Sequence, residues 1–219
     1  MAKRQILECI PNFSEGRDKE KIEKIVDPFR KTNGVKLLDY SADEDHNRLV
    51  VTAIGGPEEL KSAVFEASEI AIDLIDMNEH KGEHPRMGAV DVIPFTPVKN
   101  IEMDKAVELA NEVAKLLADN FNLPRYLYEE AATTSERKNL AKIRKGEFEG
   151  FSKKIKKEKW EPDYGEAKLH PTAGASVVGA RMPLVAFNIN LDTDNLEIAN
   201  KIARKVRHSS GGLRYCKAI

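Results

Sequence analysis

The sequence contains little cysteine, no long apolar run and almost no net charge. Its 219 residues include two cysteines, Cys9 and Cys216, and so few thiols so far apart indicate a reducing, cytoplasmic compartment. The N-terminal stretch MAKRQILECIPNF lacks the apolar centre of a signal peptide, and no apolar run approaches the length of a membrane span. The 35 basic and 36 acidic side chains leave a net charge of −1, so bulk charge favours neither a nucleic-acid nor a membrane partner.

The apolar pattern predicts a sheet covered by helices. A hydrophobic content of 41% supports a real core, and the length allows one large domain or two small lobes. Strands and helices alternate as β-α-β-β-α-β-α-β as far as Tyr128, which is the split βαβ, ferredoxin-like order with one added helix and strand. A second β-α-β unit follows, with strands predicted at Leu184–Leu191 and Leu213–Ile219. We therefore expect an α+β fold with helices on one face of a mixed sheet.

The stretch His80–Phe95, HKGEHPRMGAVDVIPF, concentrates titratable groups in front of an apolar strand. Pro85 follows His84 directly and pushes it away from the α region, and Gly82 and Gly88 permit backbone conformations that other residues resist. His84 is therefore predicted to lie on an irregular loop that enters a strand, where rigid scaffolds commonly present catalytic side chains. An ordinary polar loop with a solvated histidine is the alternative.

The same stretch contains the pattern H-x-x-E-H, which in one class of zinc hydrolase places two metal ligands on one face of a helix. His80 and His84 would be those ligands. Gly82 lies between them and Pro85 follows, so the local sequence argues against the helix that the pattern requires. A zinc hydrolase on these two histidines stays open as an alternative.

Segments spread over nearly the whole chain resemble one family. They are CIPNFSEGRD (Cys9–Asp18), the pair Asn47-Arg48, LIDMNEHKGEHPRMGAVDVIPFTPV (Leu74–Val98), YLYEEAA (Tyr126–Ala132), WEPDYG (Trp160–Gly165), GASVVGAR (Gly174–Arg181) and AFNINL (Ala186–Leu191). Together they are similar to glutamate formimidoyltransferase, the folate-dependent transferase domain that also occurs in bifunctional formimidoyltransferase-cyclodeaminase. HKGEHPRMGA is long and specific among these motifs.

The resemblance implies two ferredoxin-like lobes with folate held in a cleft between them. It implies transfer of the formimino group from N-formimino-L-glutamate to N5 of tetrahydrofolate, giving 5-formiminotetrahydrofolate and glutamate, in histidine degradation. Tetrahydrofolate would be a co-substrate, no metal would be required, and the chain would form a homodimer. Residues 1–180 would form the N-terminal subdomain, and residues 181–219 would begin a C-terminal subdomain that continues beyond this chain.

The family's motifs also indicate the site residues. The catalytic histidine of GEHPRMG falls on His84, and the folate-binding stretch ends at Thr172-Ala173-Gly174, where animal members have Ser-Trp-Gly. The residues of that stretch are Gly165, Glu166, Ala167, Lys168, Leu169, His170, Pro171, Thr172, Ala173 and Gly174.

The implied reaction requires a group that moves protons, since an amine attacks an amidine carbon and the glutamate nitrogen departs. Histidine offers a pKa near neutral pH without large tuning, so His84 is expected to act as general acid and base. Both substrates carry carboxylates, so cationic side chains are expected around the site. Possible substrate-binding residues are Asp39, Asn47, Arg48, Lys81, Arg86, Arg181, Asn188 and Asn190. A non-catalytic folate-binding module and a glutamate formyltransferase remain as alternatives.

Overall fold

The computed structural model describes residues 4–185 and 189–218, and the chain forms two compact units. The first unit extends to Pro183 and the second begins at Leu184. Among the described residues, no helix is both long enough and apolar enough to cross a lipid bilayer.

A mixed sheet, seven-stranded in the described part of the chain, forms the centre of the first unit. Its strands are β1 (Ile6–Cys9), β2 (Asn12–Phe13), β3 (Lys36–Asp43), β4 (Arg48–Gly55), β5 (Val90–Lys99), β6 (Arg125–Glu129) and β7 (Ser176–Ala180). The consecutive strands β1 and β2 both lie between β4 and β5, β3 lies outside β4, and β7 separates β5 from β6. Because β5, β7 and β6 run parallel while the other pairs are antiparallel, the predicted mixed sheet is confirmed.

The α-helices of the described residues follow the apolar spacing of the sequence. They are α1 (Lys19–Lys31), α2 (Pro57–Leu74), α3 (Met103–Phe121), α4 (Leu140–Arg144), α5 (Glu147–Lys154) and α6 (Leu196–Val206). The side chain of Asp18 caps α1 by accepting hydrogen bonds from the first free backbone N–H groups, at 2.9 and 3.2 Å. Pro57 opens α2 at a position where its missing N–H costs no hydrogen bond.

Apolar side chains pack on both faces of the sheet. On one face, α1, α2 and α3 cover the strands with residues such as Val26 and Leu60. On the other face, a second cluster joins Val177 of β7 to Ile143 of α4 and Phe151 of α5. The expectation of helices on one face is therefore wrong for α4 and α5. The physical reason is that parallel strands such as β7, with the sequence SVVGA, are apolar on both sides and require cover on both.

The second unit contains α6 and a short 3-10 helix, His208–Ser210. The prediction of a strand at Leu184–Leu191 is wrong for residues 184, 185 and 189–191, which are not in a strand. Residues 186–188 lie outside the described residues. The strand predicted at Leu213–Ile219 is also wrong over residues 213–218, where the chain turns back and the Cys216 carbonyl accepts a hydrogen bond from His208 N at 2.8 Å. An apolar run becomes a strand only when a neighbouring strand receives its hydrogen bonds.

Candidate active site

His84 lies on the irregular segment between α2 and β5, as its position before Pro85 predicts. Residues 75–89 form a single hydrogen-bonded turn that ends at His80 and no helix, so the helix required by the H-x-x-E-H zinc pattern is not formed. The residue is 8% exposed, and the alternative of a solvated loop histidine is therefore wrong. The loop instead holds the imidazole inside the first unit.

Three charged side chains surround the His84 imidazole. At the start of β4, Arg48 Nη1 lies 3.5 Å from His84 Nδ1. On β5, Asp91 Oδ2 lies 3.4 Å from His84 Nε2. The same Asp91 oxygen contacts Nη2 of Arg144, the last residue of α4. The loop therefore places the imidazole among a cation from β4, a carboxylate from β5 and a second cation from α4.

Asp91 is a buried carboxylate that stays ionised. Its residue is 1% exposed, and Oδ1 accepts a hydrogen bond from Met87 N at 3.0 Å. Burial by itself would raise the pKa of the Asp91 carboxyl, but the charge of Arg144 and the contact with His84 outweigh burial and hold the pKa below its ordinary value. Asp91 is thus a fixed negative charge that accepts hydrogen bonds and has no proton to donate.

The surroundings of His84 lower its pKa from the ordinary value of 6.5. Burial is the largest cause because it penalises the charged imidazolium; Asp91 opposes the shift, and the charges of Arg144 and Arg48 add to it. Burial of the ring on this loop, together with the two cations, thus favours the neutral imidazole over the imidazolium. At pH 7 the imidazole is neutral and is ready to accept a proton.

His80 is also buried, but protein groups hold both of its ring nitrogens. Arg86 Nε donates to His80 Nδ1 at 3.1 Å. The proton of the ring is therefore on Nε2, which donates to the carbonyl oxygen of Asn47 at 2.9 Å. Burial is the main cause that lowers the pKa of His80. Since His80 has no nitrogen free for a metal, this geometry contradicts the zinc hydrolase alternative.

Asn47 and Arg86, both predicted to bind substrate, hold the loop in place. The Asn47 side chain accepts a hydrogen bond from the backbone before α1 at 2.8 Å and donates to the Lys81 carbonyl at 3.0 Å. Arg86 is 4% exposed and forms ion pairs with Glu147 and Glu149 of α5 at 2.9 and 2.7 Å. The donors of both side chains are thus taken up within the protein.

The end of the predicted folate stretch, Gly165–Gly174, packs against the loop that carries His84. Backbone hydrogen bonds on either side of Gly88 join the two segments at 3.0 and 3.1 Å, and Gly88 itself faces Gly174. A Cβ atom on Gly88 would lie 2.2 Å from the carbonyl oxygen of Ala175. The contact therefore requires a residue without a side chain.

The beginning of the stretch borders a cleft beside the C-terminal end of α3. The cleft has a volume of about 500 Å³ and is lined by Ala118, Asp119, Asn122, Gly165, Glu166, Lys168, Leu169, His170 and Pro171. A second groove, of about 450 Å³, runs beside Lys81 and the Arg86 ion pairs. Both volumes are in the range of small-molecule sites. His170 Nδ1 accepts a hydrogen bond from Ala173 N at 2.9 Å, so this ring helps to shape the stretch.

The remaining predicted residues lie in several places. Asp39 is exposed on β3, and Lys81 is exposed at the second groove. Arg181 follows β7, half-buried, and donates to a neighbouring carbonyl at 3.1 Å. Asn190 is exposed in the second unit, and Asn188 lies outside the described residues. Of the predicted substrate-binding residues that the structure describes, Arg48 contacts the His84 ring.

Asp91 and Arg144 are site residues that sequence reasoning missed. A signal for Asp91 exists, because a carboxylate in the apolar strand AVDVIPF is rarely buried unless it has partners. Arg144 gives no comparable signal, since it lies in a segment rich in lysine and arginine.

Residues 6–181 match the family described as "Formiminotransferase domain, N-terminal subdomain". Glutamate formimidoyltransferase of Streptococcus pyogenes serotype M1 is 53% identical over 215 residues, which are 98% of this chain and 72% of that protein. The protein of the same name from Thermoplasma acidophilum is 43% identical over 216 residues, 98% of this chain and 71% of its own length. Formimidoyltransferase-cyclodeaminase of Dictyostelium discoideum is 46% identical over 221 residues, 98% of this chain but 41% of that protein. By these matches, the chain belongs to the formiminotransferase domain family.

Proposed function

We propose that this protein is a glutamate formimidoyltransferase. It transfers the formimino group from N-formimino-L-glutamate to N5 of tetrahydrofolate, giving 5-formiminotetrahydrofolate and glutamate, a step of histidine degradation. Tetrahydrofolate is a co-substrate of this reaction. The observation that carries the proposal is the similarity, over 98% of this chain, to two proteins that bear the enzyme's name.

His84 moves the protons of the reaction. The N5 nitrogen loses a proton when it attacks the amidine carbon, and the departing glutamate nitrogen gains one, so a single group can accept the first proton and return it. The lowered pKa of His84 supports this order of events, because a neutral imidazole begins as the acceptor. No covalent intermediate with the enzyme is required.

Arg48 binds a carboxylate of one substrate beside His84. Among the described residues, its guanidinium is in no ion pair, and its Nε is buried without a hydrogen-bond partner. A half-buried guanidinium without a carboxylate partner can donate two parallel hydrogen bonds to the carboxylate of a substrate. Lys81 and Arg181 provide further positive charge for the carboxylates that both substrates carry.

The stretch Gly165–Gly174 binds the folate next to the proton-transferring ring. Its backbone contact with the loop at Gly88 and the cleft of about 500 Å³ support this role. We extend the proposal to two ferredoxin-like lobes, residues 1–180 and the beginning of a second at 181–219. It also includes a homodimer. The proposal includes a cytoplasmic location too, and the two free cysteines support that location.

Turnover of the purified chain tests the proposal. It is incubated with tetrahydrofolate and either N-formimino-L-glutamate or N-formyl-L-glutamate, and the products are measured by mass spectrometry. Product from the formimino donor supports the proposal, whereas product from the formyl donor alone identifies a glutamate formyltransferase. Calorimetric binding of 5-formyltetrahydrofolate without turnover from either donor identifies a non-catalytic folate-binding module and refutes it.

A further inference from the structure

We propose that Asp91 is a positioning residue that keeps the ring proton of His84 on Nε2 and leaves Nδ1 as the atom that exchanges protons with the substrates. Arg144 contributes by holding the Asp91 carboxylate in place. The role of Nδ1 in turnover rests on the proposed function. The position of the ring proton is independent of it.

The first observation is that a carboxylate is retained within a buried strand. An isolated buried carboxylate is strongly unfavourable, so its partners indicate why it is there. Met87 N satisfies Oδ1 at 3.0 Å. Arg144 and His84 share Oδ2. Arg144 thus fixes the oxygen that the histidine ring faces.

The second observation is that both neighbours of the ring require the same tautomer. Asp91, as an ionised carboxylate, only accepts hydrogen bonds, so the His84 nitrogen that faces it, Nε2, carries the proton. On the opposite side, Arg48 has donors and no acceptor, so Nδ1 presents its lone pair. Either contact alone predicts the arrangement, and the two agree.

The third observation concerns which nitrogen is available. His80 adopts the same tautomer, but its Nδ1 accepts a hydrogen bond from Arg86 at 3.1 Å. The corresponding distance from Arg48 to Nδ1 of His84 is 3.5 Å, at the outer limit for a hydrogen bond. Nδ1 of His84 is therefore weakly engaged and faces the side where Arg48 would hold a substrate carboxylate. Nε2 also lacks a hydrogen bond of good geometry, but it is buried and faces the Asp91 carboxylate at 3.4 Å, so it is the nitrogen turned away from a substrate.

The ring proton is measured directly by two-bond proton–nitrogen correlation NMR on the full chain labelled with ¹⁵N-histidine. We expect His84 to be protonated at Nε2 and unprotonated at Nδ1 at neutral pH. His80, whose tautomer is set by Arg86, serves as the reference in the same spectrum. A His84 ring protonated at Nδ1 would overturn the inference without any variant.

Variants of the two positioning side chains complete the test. Asp91→Asn should give a mixture of His84 tautomers and lower kcat by about 10²–10⁴-fold, while 5-formyltetrahydrofolate still binds. Arg144→Gln should shift the tautomer in the same direction, whereas Arg144→Lys keeps the positive charge and should retain most of kcat. The His80 signals should not change in any of them.

Two outcomes would show that Asp91 is merely structural. One is a loss of kcat in Asp91→Asn with the His84 tautomer unchanged, and the other is a loss of kcat that Arg144→Gln does not share although both variants fold. A changed tautomer with normal kcat would instead overturn the role of Nδ1 in turnover. If Asp91→Asn does not fold, the Arg144→Gln and Arg144→Lys pair decides in the same way. If the unmodified chain shows no turnover, the proposed function fails, but the NMR result still decides whether Asp91 sets the ring proton.

Discussion

Replacing His84 by asparagine is expected to remove most of the turnover while folate binding survives. Loss of a general acid and base typically costs about 10²–10⁴-fold in rate, which corresponds to about 2.7–5.5 kcal/mol of activation free energy. The loss of folding stability should be small. The two polar contacts of the ring, at 3.5 and 3.4 Å, are long for hydrogen bonds, and Asp91 keeps Arg144 as its partner.

His80→Asn is the matched control, four positions away on the same loop and 9% exposed. It removes hydrogen bonds of 3.1 and 2.9 Å and leaves the Nε of Arg86 and the carbonyl of Asn47 without a partner. An unsatisfied buried group costs about 1–3 kcal/mol, so His80→Asn should lower the free energy of unfolding by at least that amount. The kcat of its folded fraction should change far less than that of His84→Asn.

Three measurements separate these effects. Steady-state kinetics gives kcat and KM, urea denaturation gives the free energy of unfolding, and calorimetry gives the affinity for 5-formyltetrahydrofolate. Equal losses of kcat in the two variants, or an effect of His84→Asn on KM alone, would show that His84 binds substrate and does not move its protons.

Further predictions concern pH and two structural contacts. Because burial lowers the pKa of His84 from 6.5, kcat/KM should rise as pH increases, with its midpoint below pH 6.5; a midpoint above pH 7 would contradict a neutral buried base. In Gly88→Ala, the new Cβ meets the Ala175 carbonyl at 2.2 Å, so the variant should lose about 1–3 kcal/mol or more together with folate affinity, and an unchanged Tm would refute this. Arg137→Met breaks a pair with Asp163 in which both side chains are 7% exposed and should cost about 3–5 kcal/mol in urea denaturation. The control Lys115→Met breaks an exposed ion pair with Asp119 and should cost under about 1 kcal/mol.

Features governed by local sequence are predictable from it. Ile22, Ile25 and Phe29 recur at helical spacing and become the buried face of α1. Pro85 excludes His84 from a helix, and the irregular loop follows from that one steric restriction. The position of His84 on the loop is therefore predictable from a short segment, whereas its burial depends on what surrounds it.

Features governed by distant contacts are not predictable in this way. Arg144 reaches Asp91 across 53 positions of sequence, and no periodicity relates the two. The different roles of His80 and His84 also depend on partners from other elements. Arg86 and Asn47 occupy both nitrogens of one ring, while Arg48 and Asp91 leave the other ring only loosely held.

The contact between the loop that carries His84 and residues 165–174 also has a consequence for how the protein folds. Asn78 hydrogen-bonds to the Pro171 carbonyl across 93 positions of sequence, and Gly88 faces Gly174 across a comparable separation. Contacts so distant in sequence require closure of a long loop, which slows folding. During synthesis, β1 to β5 can pair before residues 165–174 are available, whereas β6 must wait for its partner β7, which follows them. The loop that carries His84 then acquires its final support only when that late segment arrives. During synthesis, the growing chain is therefore compact before the residues around His84 are in their final positions.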